Sequence, residues 1–243
     1  MNYRNVKVKA VLFDYDDTLM DVNDAREYAR ESVAVRISEM YGIDKAMIMS
    51  TLKDIEAHME SLGIFNRKTW FRRIGDLLKI DLRNEIINEL VRIYWDSWSL
   101  KSRAYPDALP VLTSLRMCGY RLGVVTNTDG EAGLKLARIR RDGMAKFFDV
   151  IIVAGDDTDR VKPSPEPFLK ALSVLHVLGN EAMYVGDRPS TDIPGARAAG
   201  MYTVLIDRGN LMRLDLIEPK PDFLIKTLYD ILSILKCHVG NAY

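Results

Sequence analysis

Short apolar runs alternate with amphipathic segments along the second half of the chain. The runs are rich in β-branched or aromatic residues and are bounded by Gly, Asp or Asn, which is typical of buried parallel strands. They cover residues 121–127, 149–155, 182–187, 202–207 and 222–225. A similar apolar run within residues 6–19 ends abruptly in the polar sequence DYDDTL. These patterns predict one strand near the start of the chain and up to five in its second half.

Amphipathic helices are predicted between these strands. Asp107 and Ser164 stand where helix N-caps are expected, and Gly119 and Gly179 stand where the same helices would end. Strands that alternate with helices predict an α/β fold, in which a Rossmann-like, doubly wound parallel sheet carries helices on both faces.

Residues 21–101 interrupt this alternation. They contain four segments with apolar residues at helical spacing and no run of strand type, and Gly42 and Gly63 separate the first three segments. This pattern predicts an all-helical domain, residues 21–101, inserted after the first strand of an α/β core domain made of residues 1–20 and 102–243.

Composition excludes several classes of protein. The 34 Lys and Arg residues balance 34 Asp and Glu residues, which argues against a nucleic-acid-binding protein and against an electrostatic membrane anchor. No apolar run approaches the roughly 20 residues of a membrane span, so we expect a cytoplasmic protein. The two cysteines, Cys118 and Cys237, form no CxxC motif, and we expect neither a disulfide scaffold nor a cysteine zinc site.

Polar side chains follow several of the predicted strands. Because the carboxyl ends of parallel strands meet at one edge of a sheet, where ligands bind, we expect these side chains to converge there. Clustered carboxylates without His or Cys suit Mg²⁺, which takes a few carboxylates and substrate phosphate oxygens as ligands. The residues are Asp14, Asp16, Asp17, Thr18, Thr126, Asn127, Asp156, Asp157, Lys162, Asp187 and Asp192.

Four motifs in this constellation resemble, in order, those of the haloacid dehalogenase-like hydrolases. They are VLFDYDDTL (residues 11–19), LGVVTN (122–127), VKPSPEPF (161–168) and YVGDRPSTDIPGARAAGM (184–201). The resemblance covers nearly the whole chain. It implies a phosphatase in which the helical insert is the family's cap.

The resemblance also implies roles for the aspartates. Asp14 matches the nucleophile that attacks phosphorus and forms an aspartyl-phosphate. Asp16 matches the general acid that protonates the leaving oxygen and then the base that activates water. Asp14, the backbone carbonyl of Asp16 and Asp187 match the ligands of Mg²⁺. Asp192 either supports the ion indirectly or only caps the helix that follows it.

The phosphate of the substrate is matched by three further residues. The resemblance implies that the Thr126 hydroxyl and the Asn127 backbone N–H bind phosphoryl oxygens, and that Lys162 neutralises the charge on the nucleophile and the phosphate. The expected partner is a small phosphorylated metabolite such as phosphoglycolate or a sugar or triose phosphate, with no nucleic acid and no membrane, and the enzyme is expected to be a monomer or a homodimer.

One position departs from the motifs, and three other functions share the fold. Asp17 stands where the family often has Gly, and we expect it to face away from the site or to cap the turn. A haloacid dehalogenase, a phosphomutase and a catalytically silent binding protein are the alternatives. Asp16 argues against the dehalogenase, which needs no acid for an alkoxide, and intact Asp14 and Lys162 argue against the silent protein. Cap residues would decide on the phosphomutase, and the sequence does not identify them.

Overall fold

The computed structural model describes residues 8–209 and 218–237. Contacts along the chain divide it into two units. The sheet unit holds the described residues of the ranges 1–20, 104–128 and 132–243, and the helical unit holds residues 21–103 and 129–131.

Eight strands are described. They are β1 (Ala10–Phe13), β2 (Met20–Asp21), β3 (Arg103–Ala104), β4 (Arg121–Asn127), β5 (Val150–Ala154), β6 (Ala182–Gly186), β7 (Tyr202–Ile206) and β8 (Phe223–Ile225). Six of them form a parallel sheet in the order β5-β4-β1-β6-β7-β8, and β2 pairs with β3. The predicted parallel sheet is therefore confirmed, and each predicted run contains one of its strands.

The order of the strands brings the carboxyl ends of β1, β4 and β6 together. Phe13, the last residue of β1, is level with Val124 of β4 on one side and with Val185 of β6 on the other. The chain reaches β4 and β5 on one side of β1 and then crosses to β6 on the other side. This reversal of direction creates the crevice in which open α/β sheets bind their ligands.

The helices of the sheet unit cover the sheet. They are α5 (Ala108–Met117), α6 (Leu134–Arg141), α7 (Glu166–Leu175), α8 (Asp192–Ala198) and α9 (Tyr229–Ile234). Phe168 and Leu172 of α7 pack with Leu12, Val125 and Tyr184 of the sheet in one apolar cluster.

Two helix ends of the sheet unit differ from the prediction. Helix α5 begins directly after Asp107, as predicted, but the Asp107 side chain does not cap it; its carboxylate binds the Arg208 guanidinium at 2.7 Å and accepts a hydrogen bond from the Leu228 N–H. Helix α7 ends at Leu175, where His176 takes the left-handed conformation, and not at Gly179.

The helical unit contains the four helices that the pattern predicted. They are α1 (Asn23–Tyr41), α2 (Lys45–Ser61), α3 (Arg67–Leu78) and α4 (Asn84–Lys101). The side chains of Asp44 and Asn66 cap the N-termini of α2 and α3. Apolar and aromatic residues of all four helices are buried, among them Ile37, Leu52, Trp70 and Trp98.

A short segment of the second half of the chain also belongs to the helical unit. Gly130 accepts a hydrogen bond from the Asn66 side chain through its carbonyl at 2.7 Å, and Glu131 pairs with Lys68 at 3.0 Å. Gly130 has φ +89°, and a Cβ there would lie 2.3 Å from Asn66 Cα, so only glycine fits. The chain therefore enters the helical unit twice, through residues 21–103 and again through residues 129–131.

A disulfide joins Cys118 to Cys237 across 119 positions of sequence. Cys118 follows α5 and Cys237 follows α9, so the bond fastens the end of the described chain to α5. The sequence did not predict this single bond, because two cysteines so far apart carry no local pairing signal. Within residues 8–209 and 218–237, no helix is both long and apolar enough to cross a bilayer.

Candidate active site

The site is built around Asp14, the first residue after the central strand β1. Its backbone N–H donates to the Val185 carbonyl at 2.9 Å, which continues the pairing of β1 with β6. A tight loop follows, in which the Leu19 and Met20 N–H groups donate to the Tyr15 carbonyl at 2.9 and 3.0 Å. Asp14 is thus held at the carboxyl end of the sheet by strand pairing on one side and a closed turn on the other.

The backbone conformation of Asp17 accounts for the departure from the family pattern at this position. Its φ is +59°, the left-handed region that favours glycine and that Asp and Asn tolerate best among other residues. Its N–H donates to the Met20 carbonyl at 2.7 Å. Asp17 therefore adopts the backbone conformation that a glycine would take in the turn. Its buried carboxylate adds negative charge to the site.

Three buried carboxylates form a cluster. Asp14, Asp187 and Asp192 offer ligand atoms that all lie within 4.8 Å of one another. Asp187 follows β6 and Asp192 begins α8, so adjacent elements supply all three residues. The convergence expected at this edge of the sheet is found for these aspartates.

Neighbouring groups fix the orientation of the cluster. The Thr18 hydroxyl donates to Asp187 at 3.1 Å, and the Arg188 N–H donates to Asp192 at 2.9 Å. Gly186 leaves the space that the Asp192 carboxylate fills, since a Cβ there would lie 2.3 Å from its oxygen. A larger residue at position 186 would displace this carboxylate.

Lys162 supplies the positive charge next to the cluster. Its buried ammonium lies 2.9 Å from Asp14 and 2.7 Å from Asp192, and its backbone N–H donates to the Asn127 side chain at 3.0 Å. The Lys162 ammonium also donates to the Tyr184 hydroxyl at 3.1 Å, and that hydroxyl donates to the Val125 carbonyl. Three buried groups thus surround this ammonium.

Burial and mutual repulsion dominate the electrostatics of the cluster. Burial and then the charges of Asp192, Asp14 and Asp17 raise the pKa of Asp187 well above its usual value. Burial, together with Asp14, also raises the pKa of Asp192, although Lys162 opposes this. For Lys162, burial alone would lower the pKa, but Asp14 and Asp192 outweigh it and raise the pKa. One lysine does not neutralise three buried carboxylates.

The donor set fits a hard divalent cation. All three side chains offer carboxylate oxygens, and they converge without His or Cys, as suits Mg²⁺. Burial and the neighbouring carboxylates raise the pKa of Asp187, and a divalent cation bound here would offset that repulsion. Asp14 and Asp187 are the side chains that would hold the ion, and Asp192, whose oxygens bind Lys162 and the Arg188 N–H, would support it indirectly.

The predicted phosphate-binding residues lie on the strand next to β1 and in the loop before α7. Thr126 is buried near the end of β4, and Asn127 ends the strand with its side-chain oxygen engaged by Lys162. The other predicted carboxylates of this edge have local tasks. Asp156 accepts from the Thr128 hydroxyl at 2.6 Å, and Asp157 accepts from the Val153 N–H at 2.7 Å.

Asp16 lies outside the carboxylate cluster and is held by α6. Its carboxylate binds the Lys135 ammonium at 2.6 Å and the Arg138 guanidinium at 2.8 and 3.3 Å. Burial alone would raise the pKa of Asp16, but Arg138 and Lys135 outweigh it and hold that pKa well below its usual range. The ion pair favours the carboxylate form of Asp16.

Sequence reasoning missed three residues of this region. Tyr184, Lys135 and Arg138 each touch a predicted site residue. Two of them left a signal in the sequence. Lys135 and Arg138 stand three positions apart and therefore share one face of α6, a helix that also buries Ile139. The position of Tyr184 within a strand suggested only core packing.

Comparison with known proteins agrees with this geometry. The sequence model of the haloacid dehalogenase-like hydrolases matches residues 8–200, which include every residue of the site. The chain belongs to this family. The family assignment and the assignment as a hydrolase are therefore confirmed.

The relatives of the chain within the haloacid dehalogenase-like hydrolases carry phosphatase names. A glyceraldehyde 3-phosphate phosphatase of Methanopyrus kandleri is 32% identical over 94% of this chain and 97% of its own. A pyrophosphatase, PpaX, of Bacillus thuringiensis is 29% identical over 95% of this chain and 97% of its own. The crystal structure of a phosphatase of the family from Thermococcus onnurineus is 32% identical, with a TM-score of 0.70 over 95% of this chain and 99% of its own.

Proposed function

We propose that this chain is a Mg²⁺-dependent phosphatase that hydrolyses a small phosphorylated metabolite through an aspartyl-phosphate on Asp14. One observation carries the proposal. Asp14 is a buried carboxylate that contacts a buried lysine at 2.9 Å and belongs to a cluster of three acids at the carboxyl end of a parallel sheet. Such a site pairs a nucleophile with positive charge where a phosphoryl group would be held.

The proposed reaction has two steps. The Asp14 carboxylate attacks phosphorus, the bond to the ester oxygen breaks, and that oxygen takes a proton from Asp16. Water then attacks the aspartyl-phosphate, Asp16 takes a proton from the water, and phosphate leaves, which restores both aspartates. Lys135 and Arg138 favour the carboxylate form of Asp16, which suits its role as the base of the second step and opposes its role as the acid of the first.

The negative charge of the nucleophile and the phosphate would be offset by groups that the structure holds in place. Lys162 touches the attacking carboxylate, and together with Thr126 and Asn127 it would bind phosphoryl oxygens. Asp14, the Asp16 carbonyl and Asp187 would hold Mg²⁺, which would supply positive charge against the repulsion between the phosphate and the nucleophile. The Thr18 hydroxyl and the Arg188 N–H keep Asp187 and Asp192 in place.

The substrate class is argued from the helical unit and the relatives. We assign residues 21–101 as a cap domain, which would close over a small substrate, exclude water and recognise its non-reacting part. The phosphatase of Methanopyrus kandleri is named for a triose phosphate, which supports a substrate of similar size. The cytoplasmic location and the monomeric or dimeric state remain predictions.

A haloacid dehalogenase is the second candidate on the same fold. It would use Asp14 as nucleophile but needs neither a cation nor a proton donor for the leaving halide. The acidic cluster favours the phosphatase, because three buried carboxylates are costly unless a cation neutralises them.

The experiment is a screen of phosphorylated metabolites with purified protein and Mg²⁺, in which released phosphate is measured. Asp14→Asn removes the attacking charge at constant size and should lower kcat at least ~10³-fold, roughly 4 kcal/mol of barrier. Asp159→Asn, a change at an exposed carboxylate of the same unit, is the matched control and should not alter kcat.

The metal is tested in the same assay. EDTA should abolish activity and Mg²⁺ should restore it, whereas Ca²⁺, with its larger and looser coordination, should support it poorly. Turnover by Asp14→Asn above a tenth of the wild-type value would contradict the nucleophile. Full release of phosphate in EDTA would contradict the requirement for Mg²⁺.

A further inference from the structure

The core of the sheet unit contains a buried hydroxyl group. Tyr184 of β6 is fully buried, and its ring meets that of Phe168 edge to face, with 4.8 Å between the centroids. Leu12 and Val125 belong to the same apolar cluster. A phenylalanine would fill nearly the same space, and a buried hydroxyl costs free energy unless it has hydrogen-bond partners. The tyrosine therefore points to a role for its hydroxyl group.

The hydrogen bonds of this hydroxyl have a defined direction. It donates to the Val125 carbonyl at 2.7 Å, and the Lys162 ammonium donates to its oxygen at 3.1 Å. A contact with Asp192 Oδ1, at 3.4 Å, is longer than both. Because a hydroxyl has a single proton and the nearest partner is the carbonyl, the oxygen presents its lone pairs to the ammonium. The Tyr184 hydroxyl thus serves Lys162 as an acceptor.

Lys162 is held at both ends of a long side chain. Its backbone N–H donates to the Asn127 side chain at 3.0 Å. Its ammonium donates to Asp192 at 2.7 Å and to Tyr184 at 3.1 Å, and it lies 2.9 Å from Asp14. The flexible four-carbon stem of a lysine does not fix the position of its ammonium. That position is therefore set by the groups that accept its hydrogen bonds.

The proposed reaction affects these partners differently. Asp14 becomes phosphorylated, and the ammonium would then face phosphoryl oxygens in place of a free carboxylate. Asp192 and Tyr184 take no part in making or breaking bonds, so they are the partners that can hold the ammonium throughout. Tyr184 is the uncharged one of the two, and it orients the ammonium without neutralising the positive charge that the phosphoryl group needs.

We propose that Tyr184 is a positioning residue, whose hydroxyl holds the Lys162 ammonium where it meets the transferred phosphoryl group. This inference rests on the proposed function, in which Lys162 binds phosphoryl oxygens. Electrostatic contacts with the transferred group matter most in the transition state, and a misplacement of about 1 Å is costly there. Loss of the hydroxyl should therefore lower kcat more than it changes KM.

The first experiment measures the kinetics of Tyr184→Phe, which removes the hydroxyl and keeps the ring that packs on Phe168. With p-nitrophenyl phosphate and Mg²⁺, kcat should fall about tenfold, and KM should change less than about twofold. The matched control is Tyr120→Phe, because the Tyr120 hydroxyl also donates to a backbone carbonyl, that of Leu235 at 3.3 Å. Tyr120 precedes β4, at the opposite end of the strand from Thr126, so this variant should keep kcat and KM.

The second experiment observes the ammonium itself and does not depend on turnover. In protein labelled with ¹⁵N-lysine, NMR should show the Lys162 ammonium, because its protons are buried and hydrogen-bonded and exchange slowly with water. The signal is assigned by its loss in Lys162→Arg. It should shift and broaden in Tyr184→Phe and stay unchanged in Tyr120→Phe, with the fold of both variants checked by circular dichroism.

The outcomes separate positioning from a structural role and from a failure of the proposed function. An unchanged Lys162 signal in Tyr184→Phe, or a kcat within about twofold of the wild type, would overturn the positioning role, and Tyr184 would then only satisfy the Val125 carbonyl. A wild type without a visible Lys162 signal would also overturn it, since the ammonium would not be held. If the signal responds as expected but the wild type releases phosphate from no ester, the proposed function fails while the contact between hydroxyl and ammonium stands.

Discussion

The disulfide between Cys118 and Cys237 should contribute strongly to stability and little to catalysis. In the chain-entropy treatment, a cross-link over 119 residues removes about 16 cal/mol/K from the unfolded chain, or about 5 kcal/mol at 25 °C. Measured values for disulfides are typically about 2–4 kcal/mol. For a chain of this length each kcal/mol shifts Tm by roughly 2–4 °C, so Cys118→Ser should lower Tm by roughly 5–15 °C.

Activity should be retained because the bond lies at the opposite end of the sheet from the site. Cys118 precedes the first residue of β4, Arg121, whereas Thr126 lies near the last. Seven residues of extended strand separate the two ends by roughly 20 Å. At 25 °C, kcat and KM of Cys118→Ser should match those of the wild type.

The assay is thermal unfolding with and without dithiothreitol, followed by circular dichroism. The wild type should lose the same number of degrees in reductant as Cys118→Ser loses by mutation, and the double variant Cys118→Ser/Cys237→Ser should not respond to reductant. Two titratable thiols in the unreduced wild type, or a Tm indifferent to reductant, would refute the reasoning.

Two further predictions concern the acidic site. Because a raised pKa makes the folded state bind a proton more readily than the unfolded state, Asp187 should make the metal-free protein less stable as the pH rises above about 4. Mg²⁺ should therefore raise Tm more at pH 8 than at pH 5, and an equal gain at both would contradict the shift. Asp17→Gly should relieve the left-handed φ of +59° and keep kcat within about twofold, whereas Asp17→Val should lower Tm by several degrees through strain of about 1–2 kcal/mol; equal Tm values for the two variants would contradict this.

The sheet and the acidic cluster were predictable because their signals are local. Each buried strand is a short apolar run that ends at Gly, Asp or Asn, and parallel strands necessarily bring Asp14 and Asp187 to one edge. The strands and the convergence of these two aspartates can be predicted without knowledge of contacts between distant segments.

The remaining features depend on contacts between distant segments. Asp107 looks like a cap but binds Arg208, which lies 101 positions away. Asp16 meets Lys135 across 119 positions, and Tyr184 reaches the Lys162 ammonium from inside a strand. No pattern within a window of the sequence distinguishes these side chains from surface charges or core aromatics.

The second entry of the chain into the helical unit has a consequence for recombination and protein engineering. Residues 129–131 are bound to Asn66 and Lys68, yet they lie just beyond Asn127 in sequence. A chimaera that takes only residues 21–103 from another member of the family would place a different α3 against the residues 129–131 of this chain. Gly130 has no room for a side chain next to Asn66. The helical unit is thus discontinuous in sequence, and its two segments should be exchanged together. A chimaera with a crossover between the two segments should fold poorly.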